Sequence, residues 1–294
     1  MATEEIQLTW LPERTYNHKP KPAKGDKVVI SASRRTDMVK WYAPELREIL
    51  SHRYPPAKVH SLVLWTKFAS AVLLPEMRQT LKGFDNLYIH LTVTGLGGTE
   101  VEPLAPVWED TFRTLPDLID FAGGPDHIKL RVDPIFRARR GERLYDNLSL
   151  LRKILARGAA LGIKRYVTSF TCYYPKVQNR LTRAGFDVQA HSPEEKTEIW
   201  RELSSYSAKL GIALDACAVP GAPESSCIDA QVLAELHPLK LPCSSFQPRT
   251  RELCGCTHAI DVGGYYTKAC YTGCLYCYAN CARHPALPAG DSEA

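Results

Sequence analysis

The chain has 294 residues, of which 45% are apolar and 23% are charged. This balance supports a sizeable hydrophobic core and excludes global disorder, and the length suits one large domain or two small ones. The formal net charge of +5 is compatible with an anionic partner but does not require one.

The N-terminal segment and the apolar runs predict a cytoplasmic protein with no membrane partner. The first twenty residues contain acidic side chains and lack the apolar core of a secretory signal. No apolar run approaches the ~20 residues that span a bilayer. In the reducing cytoplasm, the ten cysteines favour metal or redox sites over disulfides.

Short apolar runs recur along most of the chain at intervals typical of βα units. Residues 1–25 carry three prolines without periodicity, so we interpret them as an N-terminal arm before a single domain over residues 26–294. The six predicted strands are Val28–Ser33, Leu62–Thr66, Leu87–Thr94, Ile128–Asp133, Arg165–Phe170 and Ala213–Val219. A seventh strand is predicted around Ala259–Tyr265.

Two of the intervening helices have recognisable ends. Asp146 can cap a helix that Gly162 terminates, and Ser192 with Glu195 forms a capping box for a helix that Gly211 terminates. Strands that alternate with helices predict an α/β fold. We therefore expect a full or partial TIM-like barrel of about six to seven parallel strands.

Polar side chains follow each predicted strand, and the carboxyl ends of parallel strands meet at one rim. They are Asp37, Thr66 with Lys67, Thr92 with Thr94, Arg131 with Asp133, Ser169 with Thr171, and Asp215 with Cys217. An ordinary barrel also exposes polar loop ends there, so any one position has a simple alternative explanation. Six polar ends at one rim nevertheless favour a site for a charged ligand.

Nine of the ten cysteines lie between Cys217 and Cys281, and three of these have the spacing C-x3-C-x2-C. A loop with Cys270, Cys274 and Cys277 can place three thiolates on one [4Fe–4S] cluster and leave the fourth iron open. Structural zinc more often uses two C-x2-C pairs or a mixture of cysteine and histidine. A zinc knuckle, a purely structural cluster or a chance spacing are the alternatives.

A second metal site is also suggested by the cysteines upstream of this triad. Its candidate ligands are Cys217, Cys227, Cys254 and Cys256, with Cys243, Cys281 or His258 as substitutes. Four thiolates suit zinc or a second iron–sulfur cluster. Inert buried thiols are the alternative, since free cysteine is among the most buried residue types.

The triad, with Tyr276 before its last cysteine, resembles the cluster loop of radical S-adenosylmethionine (SAM) enzymes. The surrounding string GGYYTKACYTGCLYCYAN resembles the spore photoproduct lyase-like branch, although Ala269 replaces a glycine. In that superfamily the loop lies near the N-terminus, whereas here it lies near the end of the chain. The resemblance implies a circularly permuted barrel, whose last strand lies beside the first and leads into the cluster loop.

The arrangement as a whole resembles a bacterial family known as domain of unknown function 1848. Its pattern is readable at Ile30–Asp37, Trp65–Lys67, Leu91–Gly95, Arg131–Ile135 and Cys254–Cys256. The resemblance covers roughly residues 27–281, with a cysteine-rich cluster region at about 243–281.

The resemblance also implies cofactor-binding roles. Lys67 is expected near the SAM carboxylate, since an ammonium pairs well with that group. Thr94 belongs to a threonine-rich strand of the pattern, which Glu102 and a proline follow. Either Asp37 or Asp133 is expected to face the ribose hydroxyls or the sulfonium.

The implied activity is that of a radical SAM enzyme whose reaction is unassigned. Its cluster would reduce SAM to methionine and a 5′-deoxyadenosyl radical, which takes hydrogen from an unknown substrate, and ferredoxin or flavodoxin would supply the electron. A second hypothesis is a repair or modification enzyme for nucleic acid, suggested by the basic run Arg137–Arg143 and the nearby Tyr173, Tyr174 and Lys176. A third is a non-catalytic zinc or iron–sulfur protein.

Overall fold

The computed structural model of this chain describes residues 27–248, 253–264, 267–279 and 281–282. The predicted arm over residues 1–25 and the predicted strand end at Tyr265 lie outside the described residues. The strands are β1 Val28–Ala32, β2 Val59–Thr66, β3 Leu87–Thr92, β4 Ile128–Arg131, β5 Arg137–Arg140, β6 Arg143–Asp146, β7 Arg165–Thr168, β8 Asp187–Val188, β9 Ala213–Ala216 and β10 Ile260–Asp261.

Helices of four to seventeen residues connect these strands. They are α1 Met38–Trp41, α2 Ala43–Glu48, α3 Ala69–Val72, α4 Pro75–Leu81, α5 Trp108–Ala122, α6 Leu148–Ala160, α7 Pro175–Arg183, α8 Pro193–Lys209 and α9 Ala230–Leu236. Short helical turns lie at Ile49–Arg53, Pro56–Lys58 and Pro125–His127. Among the described residues, no helix has the length and apolar character needed to cross a membrane.

Seven of the strands form one parallel sheet in the order β10-β1-β2-β3-β4-β7-β9. All six strands predicted from the apolar runs are present in their chain order, which confirms the α/β class. The seventh, β10, pairs beside β1 with Ile260 opposite Ile30, which is the neighbour predicted for it. Within the described part of the chain no ladder joins β9 to β10, so the structure shows the parallel sheet but not a closed barrel.

Both faces of this sheet are covered, which is the rule for parallel strands. Successive side chains point to opposite faces. Alternate residues such as Leu62 and Leu64 therefore pack with the helices, while Val63 and Trp65 pack in a cluster with Cys217, Cys227, Ile228, Leu233, Cys254 and Cys256. The second layer contains the cysteines upstream of the triad.

A small antiparallel sheet, in the order β6-β5-β8, follows β4 and was not predicted. The basic run Arg137–Arg143 forms most of its β5–β6 hairpin. The run gave no strand signal because it lacks the alternation of apolar and polar residues that marks a strand. Buried Ala138 and Tyr145 provide the apolar side of this hairpin.

The predicted helix ends are close to those observed. Ser192 and Glu195 form the capping box of α8, with the Glu195 amide donating to Ser192 Oγ at 3.2 Å. Asn147, rather than Asp146, is the N-cap residue of α6, although Asp146 accepts a hydrogen bond from the Leu148 amide at 2.9 Å. The Asn147 side chain instead hydrogen-bonds with the loops that follow β3 and β4.

Candidate cofactor site

The loop that carries Cys270, Cys274 and Cys277 lies against the carboxyl end of β1. Three side chains that follow β1 donate to it: Thr36 to the Lys268 carbonyl at 2.7 Å, Trp41 to Thr272 Oγ1 at 2.9 Å, and Tyr42 to the Ala269 carbonyl at 2.9 Å. The residues after β10 and after β1 are therefore joined at the same edge of the sheet. This is the edge where parallel α/β proteins place their chemistry.

The same loop is held from its other side by Arg180 of α7. The Arg180 guanidinium donates to the carbonyls of Cys274, Leu275 and Cys277 at 3.4, 3.1 and 2.7 Å. The Leu275 amide donates to the Val101 carbonyl at 2.9 Å. The backbone around the last two cysteines is thus fixed by charge-assisted hydrogen bonds.

The three thiols of the triad lie in a poorly hydrated environment. Cys274 is buried, and Cys270 and Cys277 are half-buried. Burial, followed by the negative charge of Glu102, raises the pKa of the Cys274 thiol well above its usual range. Burial also raises the pKa of Cys277. A bound metal is the kind of partner that would hold these sulfurs as thiolates.

The donor set fits a cluster better than a single metal ion. An iron–sulfur cluster bonds each thiolate to a different iron, so its ligands surround a larger body. The charges of Cys270 and Cys277 both act on the pKa of Cys274, which places the three soft ligands in one neighbourhood.

A buried cation, Lys67, lies next to this loop. Its ammonium donates to Glu102 Oε1 at 3.0 Å and to the Tyr276 hydroxyl at 3.1 Å, and Tyr276 in turn donates to Glu102. Burial alone would lower the pKa of Lys67, but the charges of Glu102 and Cys274 raise it overall. Burial raises the pKa of Tyr276, so the group is an ammonium, a carboxylate and a neutral phenol in contact.

Asp37 positions Lys67 through the backbone. Its Oδ1 accepts from the Lys40 amide at 3.1 Å and caps α1, while Oδ2 accepts from the Thr66 hydroxyl and the Lys67 amide, each at 2.9 Å. Burial raises the pKa of Asp37 to about 6. In this structure the carboxylate expected to meet the ribose or the sulfonium is engaged by the protein itself.

The other two predicted cofactor-binding residues lie at the same edge. Asp133 pairs with Arg131 and accepts a hydrogen bond from Ser169. Thr94 is buried, and its hydroxyl accepts from the Leu96 amide at 3.1 Å, so it shapes the turn after β3.

Sequence reasoning missed Asn147, which ties two strand ends together. Its Nδ2 donates to the carbonyls of Thr94 and Pro134 at 2.9 Å each, and its Oδ1 accepts from the Phe136 amide at 2.9 Å. Asn147 is fully buried. No short motif carries this role, because the partners come from separate loops.

The second cysteine group is assembled in the layer below the other face of the sheet. Cys217, Cys227, Cys254 and Cys256 are all buried. The Cys227 thiol hydrogen-bonds with Cys217 and Cys256, and Cys256 hydrogen-bonds with Cys254. The thiol hydrogen bonds and the charge of Arg131 hold the pKa of Cys227 well below its usual range.

The proposed substitute ligands make other contacts, although Cys243 packs against the same apolar cluster as the four cysteines. Cys243 contacts the Ala230 carbonyl at 3.6 Å, and Cys281 bridges to Cys270 through the backbone. His258 packs its ring against Phe246. The structure therefore brings together the four cysteines first expected.

The basic run is largely neutralised. Arg137 makes a bidentate pair with Glu195 at 2.8 and 2.9 Å, and Arg140 pairs with Glu100 at 3.2 Å. Tyr173 donates to the Arg137 carbonyl at 2.8 Å, so its hydroxyl is also engaged. The hairpin is thus a poor match for the phosphate-binding role considered above.

A different basic surface lies on α7. A cavity of about 350 Å³ is lined by Lys176, Asn179, Arg180 and Arg183. Beside this helix the exposed rings of Tyr174 and Tyr278 meet edge to face, with centroids 6.5 Å apart.

A parallel α/β sheet with a cysteine loop and a buried lysine at its carboxyl edge defines an α/β protein with a candidate metal-cofactor site. The chain belongs to the family described as a domain of unknown function (DUF1848), whose model matches residues 44–279. A search of curated proteins found no match, and a search of solved structures found none either.

Proposed function

We propose that this protein is a radical SAM-type iron–sulfur enzyme. Cys270, Cys274 and Cys277 would hold a [4Fe–4S] cluster, and Lys67 would bind the carboxylate of SAM beside it. The observation that carries the proposal is the hydrogen bond from Lys67 to Tyr276, because Tyr276 lies inside the cysteine loop itself. A buried cation and three thiols thereby share one end of the sheet.

The geometry of Lys67 suits an anionic ligand. A lysine ammonium has three donors, and the contacts with Glu102 and Tyr276 use two of them. Among the described residues no hydrogen bond occupies the third donor, which can therefore meet a carboxylate oxygen. Glu102 fixes the ammonium in place and maintains its charge, so Lys67 is oriented before the ligand arrives.

The remaining residues act by orientation and by exclusion of water. When bound, the cluster and SAM would supply the one-electron cleavage that yields methionine and a 5′-deoxyadenosyl radical. Arg180 keeps the cysteine loop closed against α7, and Asp37 fixes the backbone of Lys67. Asp133 places a carboxylate at the same edge, where it also acts on the pKa of Lys67.

Low-potential reduction needs an external donor, and from the family resemblance we propose ferredoxin or flavodoxin. The same resemblance, with reduced cysteines throughout, supports a cytoplasmic enzyme. The substrate that loses hydrogen is not specified by these groups.

The proposal is tested by electron paramagnetic resonance on anaerobically purified, dithionite-reduced protein, with and without SAM. We expect a [4Fe–4S]⁺ signal that shifts when SAM is added, and that Cys274→Ser abolishes. Cys172→Ser is the matched control, because Cys172 is exposed and belongs to neither cysteine group. A cluster signal that does not change when SAM is added would contradict the proposal and indicate an electron-transfer or structural centre. Protein that contains zinc but no iron would also overturn the proposal.

A second candidate function, action on nucleic acid, is favoured by the α7 surface. Lys176 and Arg183 beside two exposed tyrosines combine phosphate contact with base stacking, while Arg180 is engaged by the cysteine loop. Retention on a single-stranded oligonucleotide should fall steeply with salt and should weaken in Lys176→Ala and Arg183→Ala. Arg139→Ala, in the β5–β6 hairpin, is the control. No retention at low salt would exclude this function.

A further inference from the structure

The four upstream cysteines come from three separate segments that meet in one buried place. Cys217 follows β9, Cys227 lies in the loop before α9, and Cys254 and Cys256 precede β10. They are between 3% and 7% exposed. Two thiols that lie 29 residues apart in sequence, those of Cys227 and Cys256, are therefore in contact. Burial alone is ordinary for free cysteine, which packs as a small apolar side chain, so it is the contact between thiols of separate segments that points to a shared ligand.

The sulfurs lie within reach of one another and of N–H donors. Cys227 contacts Cys217 and Cys256, and Cys256 also contacts Cys254, so the four thiols form a continuous chain. The Cys227 amide donates to the Cys256 sulfur at 3.2 Å. Arg131 donates to the Cys227 sulfur at 3.2 Å. Hydrogen bonds from N–H groups to sulfur are what stabilises metal-bound thiolates.

The surroundings provide positive charge and rigid support. Lys129 is buried and donates to the Ser226 carbonyl at 3.1 Å, one residue before Cys227. His90 is fully buried and its Nε2 contacts the Cys227 carbonyl at 2.7 Å, while its ring stacks on Trp65. Lys129 also pairs with Asp215 at 2.6 Å and Arg131 pairs with Asp133, so their charge is partly offset, and the main contribution of these residues is an anchored backbone around Cys227.

We propose that Cys217, Cys227, Cys254 and Cys256 bind one zinc ion as a four-thiolate site. Thiols in mutual contact match a single tetrahedral ion, whereas a cubane cluster keeps its thiolates apart on different irons. These contacts run from Cys217 through Cys227 and Cys256 to Cys254, and no three of the described side chains are yet gathered as one ion requires, so the sulfurs would have to move together on binding. On binding, zinc would draw the two outermost thiols of this row, those of Cys217 and Cys254, inward by rotation of their side chains.

This site would support the cofactor loop without taking part in its chemistry. Cys254 and Cys256 lie directly before β10, which leads to Cys270. The Thr257 amide donates to the Ile228 carbonyl at 2.8 Å, so the segment already follows the Cys227 loop. A zinc ion would fix the start of β10 against β9 and hence the position of the loop beyond it.

The test is metal analysis of the full chain after anaerobic purification and gel filtration with a chelator. We expect about one zinc per chain, as one four-coordinate site requires, and loss of most of it in Cys227→Ser and in Cys256→Ser. Cys172→Ser and Cys243→Ser are the controls and should keep zinc. A triple Cys270→Ser/Cys274→Ser/Cys277→Ser variant should lose iron yet keep zinc, which separates this proposal from the proposed function.

A second readout covers the case in which the cysteine variants fail to fold. Cobalt exchanged into the wild-type protein should give thiolate-to-cobalt charge-transfer bands and the ligand-field bands of a tetrahedral site. An organomercurial should release zinc from intact wild-type protein. Wild-type protein without zinc, or Cys227→Ser that loses iron instead, would overturn the proposal.

Discussion

The ammonium of Lys67 lies 3.0 Å from the carboxylate of Glu102, in an ion pair whose side chains are 15% and 2% exposed. The pair joins the end of β2 to the turn after β3. Both members of the pair also hydrogen-bond with the hydroxyl of Tyr276, which belongs to the cysteine loop. Three distant segments therefore depend on one buried pair of charges, and removing one charge leaves the other without a partner.

Replacing one member of this pair should destabilise the protein strongly. Lys67→Met leaves the Glu102 carboxylate buried, which costs about 3–5 kcal/mol. The double variant Lys67→Met/Glu102→Met should recover most of that loss, because both charges are absent. The free energy of unfolding in urea measures this. The double variant should nevertheless lose the SAM-dependent shift of the resonance signal.

Lys27→Met is the matched control for this experiment. Lys27 pairs with Asp85 at 3.2 Å, but the two side chains are 35% and 51% exposed. A surface pair contributes less than about 1 kcal/mol. If the double variant is as unstable as Lys67→Met, the ion pair does not explain the loss.

Arg180 should determine how firmly the cysteine loop holds its cluster. In Arg180→Met, three carbonyls of the loop lose a charged donor, and one such bond is worth about 1.5–3 kcal/mol. We expect iron to be lost at least about tenfold faster on dilution with a chelator. Arg183→Met, an exposed change on the same helix, should leave the rate unchanged. If both variants lose iron at the same rate, Arg180 does not hold the cysteine loop in place and other contacts must do so.

The sheet was predictable because buried parallel strands leave continuous apolar runs such as Leu62–Thr66. The β5–β6 hairpin was not predictable, because its two strands contain four arginines and too few apolar residues to show an alternating pattern. The sequence grouped Cys217, Cys227, Cys254 and Cys256, and these thiols do meet, but the order of their contacts follows only from the fold. Lys67 and Tyr276 are 209 residues apart in sequence, so their contact follows only from the fold that places β10 beside β1.

Asp37 should give the protein a pH-dependent stability. Its pKa in the folded protein is about 6, above the usual 3.8, because burial disfavours the charged form. The folded state therefore binds the proton more tightly, and this contribution is complete below pH 3.8 and lost as the pH rises through 6.

Urea unfolding between these pH values, for wild type and for Asp37→Asn, measures that contribution. Wild type should lose about 1.4 kcal/mol of stability per pH unit relative to Asp37→Asn. Asparagine keeps one oxygen for the α1 cap but cannot titrate. Exposed Asp117→Asn should follow wild type at every pH. Parallel curves for wild type and Asp37→Asn would show that Asp37 ionises normally.

Gly97 should control the position of Glu102 through the backbone. The two residues form an isolated bridge, and the Gly98 amide donates to the Glu102 carbonyl at 3.0 Å. A Cβ added at Gly97 would lie 1.9 Å from the Pro106 carbonyl oxygen, so the turn must open. A backbone carbonyl cannot move aside as a flexible side chain can, so we expect this overpacking to lower the free energy of unfolding by about 1–3 kcal/mol.

Gly97→Ala should therefore lower the free energy of unfolding and also weaken the response to SAM, because Glu102 moves away from Lys67. Gly83→Ala is the control: its added Cβ would lie 3.1 Å from the side chain of Pro56, far from the cysteine loop. That variant should keep the SAM response whatever its stability. A Gly97→Ala protein that is less stable but responds fully to SAM would contradict this prediction. The turn would then not control SAM binding, and Lys67 would be positioned by Tyr276 and the backbone alone.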